Sequence, residues 1–292
     1  MRSAVCGLGR LGAALAAALV ADGQDVSGWN RTPRELPGIR AARTAADAVR
    51  HAEVVVVAVF DGPAARSVLL GPDGVAVGAA PGTLVINVTT LAPEESRRLA
   101  HEVRGEGLRY LEAPVVGSVS AVRSGALRVL VGGAEEDALA AEPVLRVWSH
   151  AGSRRLVGRV GAASALKLVA NLALGIAAAG LHDAVRLGTG LGLARDDLLD
   201  VLQEGPIGPL VAGKRDRLSH GAYAAADFTV AALAKDLALA RAAVDEPLAG
   251  ADAAARLVGR VAELDGSLDI AALGGEPARA GERVPAAAQD LG

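Results

Sequence analysis

Residues 2–12 read RSAVCGLGRLG, and residues 13–21 continue AALAAALVA. Arg2 to Cys6 predicts a short strand, Gly7-Leu8-Gly9-Arg10-Leu11-Gly12 a G-x-G-x-x-G turn, and the alanine-rich run a helix. Strand, glycine turn and helix in this order are the context that a dinucleotide site requires. Gly7 allows the tight turn, Gly9 lets the backbone approach a pyrophosphate, and Gly12 lets helix and strand pack closely. The helix N-terminus then offers free N–H groups and a partial positive charge to the phosphates.

The end of the second strand, Asp25 to Trp29, bears on which dinucleotide is held. An NAD site places an acid there for the ribose 2′-hydroxyl. This chain has Asn30-Arg31-Thr32. No carboxylate is present to repel a 2′-phosphate, and Arg31 can pair with one through its planar fork. The alternative is a solvated turn before Pro33. NADP is the expected cofactor, with NAD left open.

Further along, a helix near 44–50 leads to a valine-rich strand over 53–60, and Asp61-Gly62-Pro63 turns the chain over that strand's carboxyl edge. A strand over 83–88 ends in Asn87-Val88-Thr89-Thr90. The two threonines either face the nicotinamide end of a cofactor or cap the helix that starts near Pro93. A strand over 109–111, the loop Glu112–Ser118, a strand ending at Val131 before Gly132-Gly133, a helix over 135–147 and a strand over 154–157 follow. This alternation indicates an α/β class chain whose N-terminal part, 1–158, is a Rossmann doubly wound sheet.

From Gly158 the pattern becomes helical only, giving an all-helical C-terminal domain over 159–274, with helices near 162–187, 195–203, 207–218, 228–244 and 247–264. Its first helix, VGAASALKLVANLALGIAAAGLHDAVR over 160–186, is apolar nearly all round, so most of it is expected to be buried. Lys167 and Asn171 interrupt the apolar run one turn apart and leave the same face. An ammonium there either snorkels to the surface or faces a partner or ligand. The run Leu172–Leu181 is too short for a membrane span, and extending it backward takes in Lys167. The tail, 275–292, rich in Ala, Gly, Pro and charge, is expected to be disordered.

Composition narrows the class. The 292 residues are 51% hydrophobic but 2% aromatic, so the core must be built from Ala, Val and Leu. A net charge of -3 with scattered signs argues against a nucleic-acid surface. One cysteine, Cys6, excludes an internal disulfide and fits a buried strand position. The five histidines are isolated and show no zinc spacing, so no metal is expected. No signal peptide pattern opens the chain, and a cytoplasmic protein without a membrane partner is the expectation.

Five stretches together resemble the β-hydroxyacid dehydrogenases, which include 3-hydroxyisobutyrate dehydrogenase and tartronate semialdehyde reductase. They are Gly7–Gly12, Asn87–Pro93, Glu112–Ser118, Gly161–Asn171 with its Lys and Asn four apart, and Phe228–Leu237 with its Lys-Asp-Leu. The branch most similar is that of the NADP-using glyoxylate and succinic semialdehyde reductases, on Asn30-Arg31-Thr32 and the Glu-Ala-Pro-Val-x-Gly-Ser form of the loop. The resemblance implies a 6-phosphogluconate dehydrogenase-like helical domain and a homo-oligomer, dimer or tetramer. It implies that Lys167 is the general acid in reduction of a small-molecule carbonyl substrate, and that Asn171 holds the substrate oxygen and aims Lys167. It implies that Gly117 and its neighbours Val116 and Ser118 grip a substrate carboxylate. It also implies that Leu8, Arg10, Leu11, Thr90 and Lys235 belong to the cofactor side, with Asp236 structural; for Lys235-Asp236 an exposed helix pair is the alternative. The chemistry is sound, because hydride addition builds negative charge on oxygen, which a held cation stabilises and protonates.

One residue departs from the family pattern: Val116 stands where the family's loop has Ser. Valine cannot donate a hydrogen bond to a carboxylate, a loss of about 1–3 kcal/mol if that carboxylate stays buried. Either Ser118 or Ser120 compensates, or the substrate lacks that carboxylate or is more apolar. Two other functions fit the scaffold: an imine reductase or biosynthetic tailoring reductase, and a non-catalytic NADP-binding protein. Retention of Lys167 and Asn171 favours carbonyl reduction over both.

Overall fold

The computed structural model describes residues 1–275; the expected disordered tail lies, from 276 onward, outside the described residues. The chain begins with β1 (Arg2–Cys6), α1 (Arg10–Ala21), β2 (Asp25–Trp29), β3 (Ile39–Ala41), α2 (Ala45–Val49) and β4 (Val54–Val57). It continues through α3 (Gly62–Leu70), α4 (Val75–Gly78), β5 (Leu84–Asn87), α5 (Pro93–Gly105) and β6 (Arg109–Glu112). The strand order is β3-β2-β1-β4-β5-β6, parallel throughout, which is the 3-2-1-4-5-6 order of a Rossmann sheet. The order reverses between β1 and β4, and ligands bind at the carboxyl ends of the strands beside such a point.

Strand alternation sorts the core into two layers. Val5, Val54, Val56 and Ile86 face one way with Leu15, Leu19 and Trp148. Ala4, Cys6, Val55, Val57 and Val85 face the other, with Leu69, Leu99 and Tyr110. Both faces are covered, so these strands read as unbroken apolar runs.

Past β6 the sheet becomes mixed. The elements here are β7 (Val115–Val116), α6 (Val119–Arg123), β8 (Arg128–Gly132), α7 (Glu135–Trp148) and β9 (Arg154–Gly158). β8 runs antiparallel to both β6 and β7, and β9 runs parallel to β8. The elements β3, α3, α4, β7 and α6 were not anticipated; α3 has nine residues and was read only as the turn at Asp61-Gly62-Pro63, whereas each of the others has five residues or fewer, too few to show a period. The strand expected over 53–60 leaves the ladder after Val57, because the chain there passes under the glycine turn: a Cβ on Gly7 would lie 2.3 Å from the Ala58 carbonyl oxygen.

The remaining described elements are mainly helical: α8 (Ala162–Gly190), α9 (Arg195–Glu204), α10 (Gly208–His220), α11 (Val230–Arg241) and α12 (Ala249–Asp265). α8, α11 and α12 share an apolar core of Ala178, Leu233, Leu237, Ala254 and Val258. Gly175 lets α11 approach α8, since a Cβ there would lie 2.7 Å from a Leu237 methyl.

Two expectations about α8 need correction. It is 29 residues long, so the argument that its apolar run is too short for a bilayer does not hold on length and hydropathy alone. Nor is most of it buried: only 39% of its most apolar window is, and Leu166, Val169, Ile176 and Leu187 stand exposed. Steps of three, seven and eleven residues place these four side chains on one stripe. The opposite face carries Ser164, Lys167 and Asn171, all buried.

Candidate active site

The glycine turn is shaped to receive phosphates. Gly7 has φ +101, a value glycine tolerates, and a Cβ on Gly12 would lie 1.8 Å from the Gly7 carbonyl oxygen. Gly9 differs: nothing lies within 4 Å of a Cβ built there, so its outer side is open. α1 starts at Arg10 with no side-chain cap and no acid in its first turn, leaving its leading N–H groups to an anion. These features fit a dinucleotide pyrophosphate.

The β2 end is tied to this turn. The Asn30 side chain accepts from the Leu8 N–H at 2.9 Å and donates to the Thr32 carbonyl at 2.8 Å. Asn30 thus fixes the turn's shape, while exposed Arg31 and Thr32 lie just beyond it. Arg34, which the sequence did not single out, donates to the Leu8 carbonyl at 2.6 Å. Leu8 is buried and Leu11 packs on the same core layer. Arg10 reaches the helical domain, donating to the Ser267 carbonyl at 3.2 Å.

A chain of contacts leads from this turn to Lys167. Ala58 and Val59 lie under Gly7, and the Val59 N–H donates to the Thr89 hydroxyl at 3.2 Å. Thr89 is therefore spent inside the fold, and neither threonine caps α5, whose N-cap is Ala92 followed by Pro93. The Thr90 carbonyl accepts from Lys235 Nζ at 2.9 Å, across the seam between the domains. Lys235 also lies 2.6 Å from Asp236 Oδ1, near enough for an ion pair but off line for a hydrogen bond. The other Asp236 oxygen accepts from the Asn171 amide, whose own oxygen accepts from Lys167 Nζ at 3.0 Å. Asp236, expected to be structural, is thus what orients Asn171. The exposed-pair alternative for Lys235-Asp236 fails, since Asp236 is 2% exposed and the Lys235 side chain 17%.

Lys167 is 7% exposed and does not snorkel. Burial pulls its amine down from 10.5 to about 8; the Asp236 charge opposes this fall and the Lys235 charge adds to it. An amine in that range can donate a proton near neutral pH and take it back. Its Nζ lies 5.9 Å from the Phe228 ring centroid, and Lys235 Nζ lies 5.8 Å from that of Phe60. The chain has two phenylalanines, and each stands over one of these two lysines. Sequence reasoning placed Phe228 in a motif without a role and gave Phe60 none. The Asp269 carboxylate braces the segment that carries Phe228, accepting from the Asp227 N–H at 2.9 Å, the Phe228 N–H at 3.4 Å and Lys214 Nζ at 2.8 Å.

The expected substrate loop divides into two parts. Val116 is half-buried and paired with Arg128 across the β7–β8 ladder, and Gly117 follows at φ +138 with Leu127 where a Cβ would go. The Ser118 and Ser120 hydroxyls bond each other at 2.6 Å. Glu112, quoted with this loop from the sequence, points elsewhere: its carboxylate turns to the start of α8.

The comparisons bear on these features as a set. The family model of the NAD binding domain of 6-phosphogluconate dehydrogenase matches residues 2–161. The 3-hydroxyisobutyrate dehydrogenase of Pseudomonas aeruginosa is 34% identical over 69% of this chain and 68% of its own length. The cytokine-like nuclear factor N-PAC of Mus musculus is 31% identical over 89% of this chain, which spans only 48% of that protein. Among solved structures, Psf3 in complex with NADP+ and 2-OPP superposes with a TM-score of 0.83 at 27% identity, covering 93% of this chain and 98% of Psf3. The imine reductase of Streptomyces aurantiacus, with a TM-score of 0.63 at 22% identity over 94% of this chain and 98% of its own, shares the fold.

Proposed function

The chain belongs to the β-hydroxyacid dehydrogenase family and is an NAD(P)-dependent oxidoreductase, and on that premise we propose that it is an NADP-dependent reductase of small carbonyl compounds of the aldehyde-acid class. The observation that carries this reading is Lys167: a buried amine brought down to about 8, bonded to an amide that a second buried group orients. The glycine turn Gly7–Gly12 would hold a nicotinamide cofactor, which would supply the hydride when bound. Lys167 Nζ donates a proton to the carbonyl oxygen as charge builds there, and its neutral form accepts that proton in the reverse direction. The Asn171 amide keeps the amine aimed, and apolar neighbours such as Phe228 keep water from it. Asn30, Arg31 and Thr32 favour NADP, as does the absence of an acid at the end of β2.

Val116 favours a second reading of the substrate. With no hydroxyl at that position, a carbonyl compound whose nearby end is apolar fits better than one with a carboxylate there. The test is an NADPH-consumption screen over glyoxylate, succinic semialdehyde, neutral aldehydes and cyclic imines, with Lys167→Met alongside. Turnover of carbonyl compounds that Lys167→Met abolishes supports the proposal. Turnover of imines alone would make the chain an imine reductase, and saturable NADPH binding without any turnover would make it a binding protein. Arg31→Ala weakens NADPH more than NADH; equal losses would remove Arg31 from the 2′-phosphate. The exposed stripe Leu166, Val169, Ile176 and Leu187 on α8 supports a homo-oligomer, because a row of large apolar side chains gains by being covered by a second copy.

A further inference from the structure

Ser164, Lys167 and Asn171 form one polar stripe on the buried face of α8, at 2%, 7% and 3% exposure. Each end of the stripe is held by a buried carboxylate, and the two carboxylates come from different domains. Asp236 of α11 holds Asn171. Glu112, at the end of β6 and 1% exposed, holds Ser164.

The Glu112 end is the unusual one. A helix leaves its first N–H groups unpaired, and a local Ser, Thr, Asp or Asn ordinarily takes one. α8 has no such cap: Gly161 precedes it at φ +100. Glu112 does the work from another domain. Its Oε1 accepts from the N–H groups of Gly161 at 2.7 Å, Ala163 at 2.8 Å and, more weakly, Ser164 at 3.4 Å. Its Oε2 accepts from the hydroxyls of Ser96 on α5 and Ser164, both at 2.6 Å. A local cap would order the helix wherever it lay; a cap carried by the sheet orders it only where the helix is seated on the sheet. Gly132, for which the sequence gave no role, makes the room, since a Cβ there would lie 2.3 Å from Glu112 Oε1.

We infer that Glu112 and Ser164 are positioning residues for Lys167: they seat the first turn of α8 on the β6 edge and so fix where its amine stands relative to the glycine-turn domain. The inference rests on the reading of Lys167 as proton donor. Freeing the first turn would let it fray and admit water to the next turn, where Lys167 sits. The charged groups facing Lys167 from α11, Asp236 and Lys235, stay in place in that event.

The test uses the full chain with Glu112→Gln and Ser164→Ala, the second a milder change that folds if the first does not. Competitive amine labelling read by peptide mass spectrometry titrates Lys167 without any substrate, and Lys214, whose Nζ is bonded to Asp269, serves as the internal control. In the variants the Lys167 midpoint is expected to rise from about 8 toward 10.5 while the labelling of Lys214 stays unchanged. With an active substrate, kcat is expected to fall by about tenfold or more in Glu112→Gln and less in Ser164→Ala, with KM and NADPH binding within about twofold. An unchanged Lys167 titration in the folded variants would overturn the inference, as would parallel losses of stability, cofactor binding and kcat. If the native chain reduces no carbonyl compound, the proposed activity fails, and the labelling still decides whether Glu112 and Ser164 position Lys167.

Discussion

Lys167 and Lys235 flank the same aspartate, yet their surroundings are opposite. Lys235 reaches a carboxylate, Asp236, and a backbone carbonyl, Thr90, across the seam. Lys167 hydrogen-bonds only a neutral amide, lies under Phe228 and is more deeply buried. An ion pair ties one amine down as a strap between domains. Burial without a direct carboxylate partner leaves the other able to give up its proton near neutral pH. The chain spends 27 arginines and only three lysines, and none of the three lies freely on the surface. A guanidinium does not deprotonate in proteins, so of the two long cationic side chains only lysine can exchange a proton.

The contrast can be broken by substitution. Lys167→Met is expected to lower kcat by about 10²–10⁴-fold while NADPH binding, followed by fluorescence titration, hardly changes. A variant that retains most of its kcat would place the proton donor elsewhere. Asp236→Asn strikes both lysines, because the charge that pairs with Lys235 is lost and the one remaining side-chain oxygen can accept from Asn171 or face Lys235 but not both. We expect kcat to fall by about 10–100-fold and NADPH affinity to fall with it. Lys235→Met should separate the two roles, weakening NADPH on the order of tenfold in binding assays while kcat at saturation changes less.

Acidity sharpens the same contrast. If Lys167 is the acid, kcat for reduction declines as pH rises through about 8, and kcat for oxidation increases over the same range. A profile flat from pH 7 to 9 would detach this amine from the rate. Stability should follow with the smallest effect. The folded amine titrates below its ordinary 10.5, so between about 8 and 10.5 the unfolded chain binds the proton more tightly and stability rises with pH. Thermal melts of the native chain and Lys167→Met should therefore diverge in slope across that window.

Several parts of this arrangement were legible in the sequence. The glycine turn could be read because strand, turn and helix lie within 21 residues and each glycine answers a local demand. Lys167 and Asn171 could be paired because helical spacing alone puts them on one face. Glu112 could not be read: at a strand end next to a loop, the direction of its side chain is set by backbone amides that arrive 49 residues later. Asp236 was visible as part of a motif, but its bond to Asn171 spans 65 residues. The exposed stripe of α8 was misread as core because apolarity all round does not say which face finds a partner within one chain.

Local chemistry in the sequence determined the βαβ beginning, the change to helices after Gly158 and the presence of an amine among apolar residues. Tertiary structure alone decided how that amine is held, with one carboxylate from the sheet domain at the start of α8 and one from α11 beyond it. The reason is physical: periodicity and turn geometry act over a few residues, whereas the burial that lowers an amine's pKa and the acceptors that orient it are supplied by segments distant in sequence.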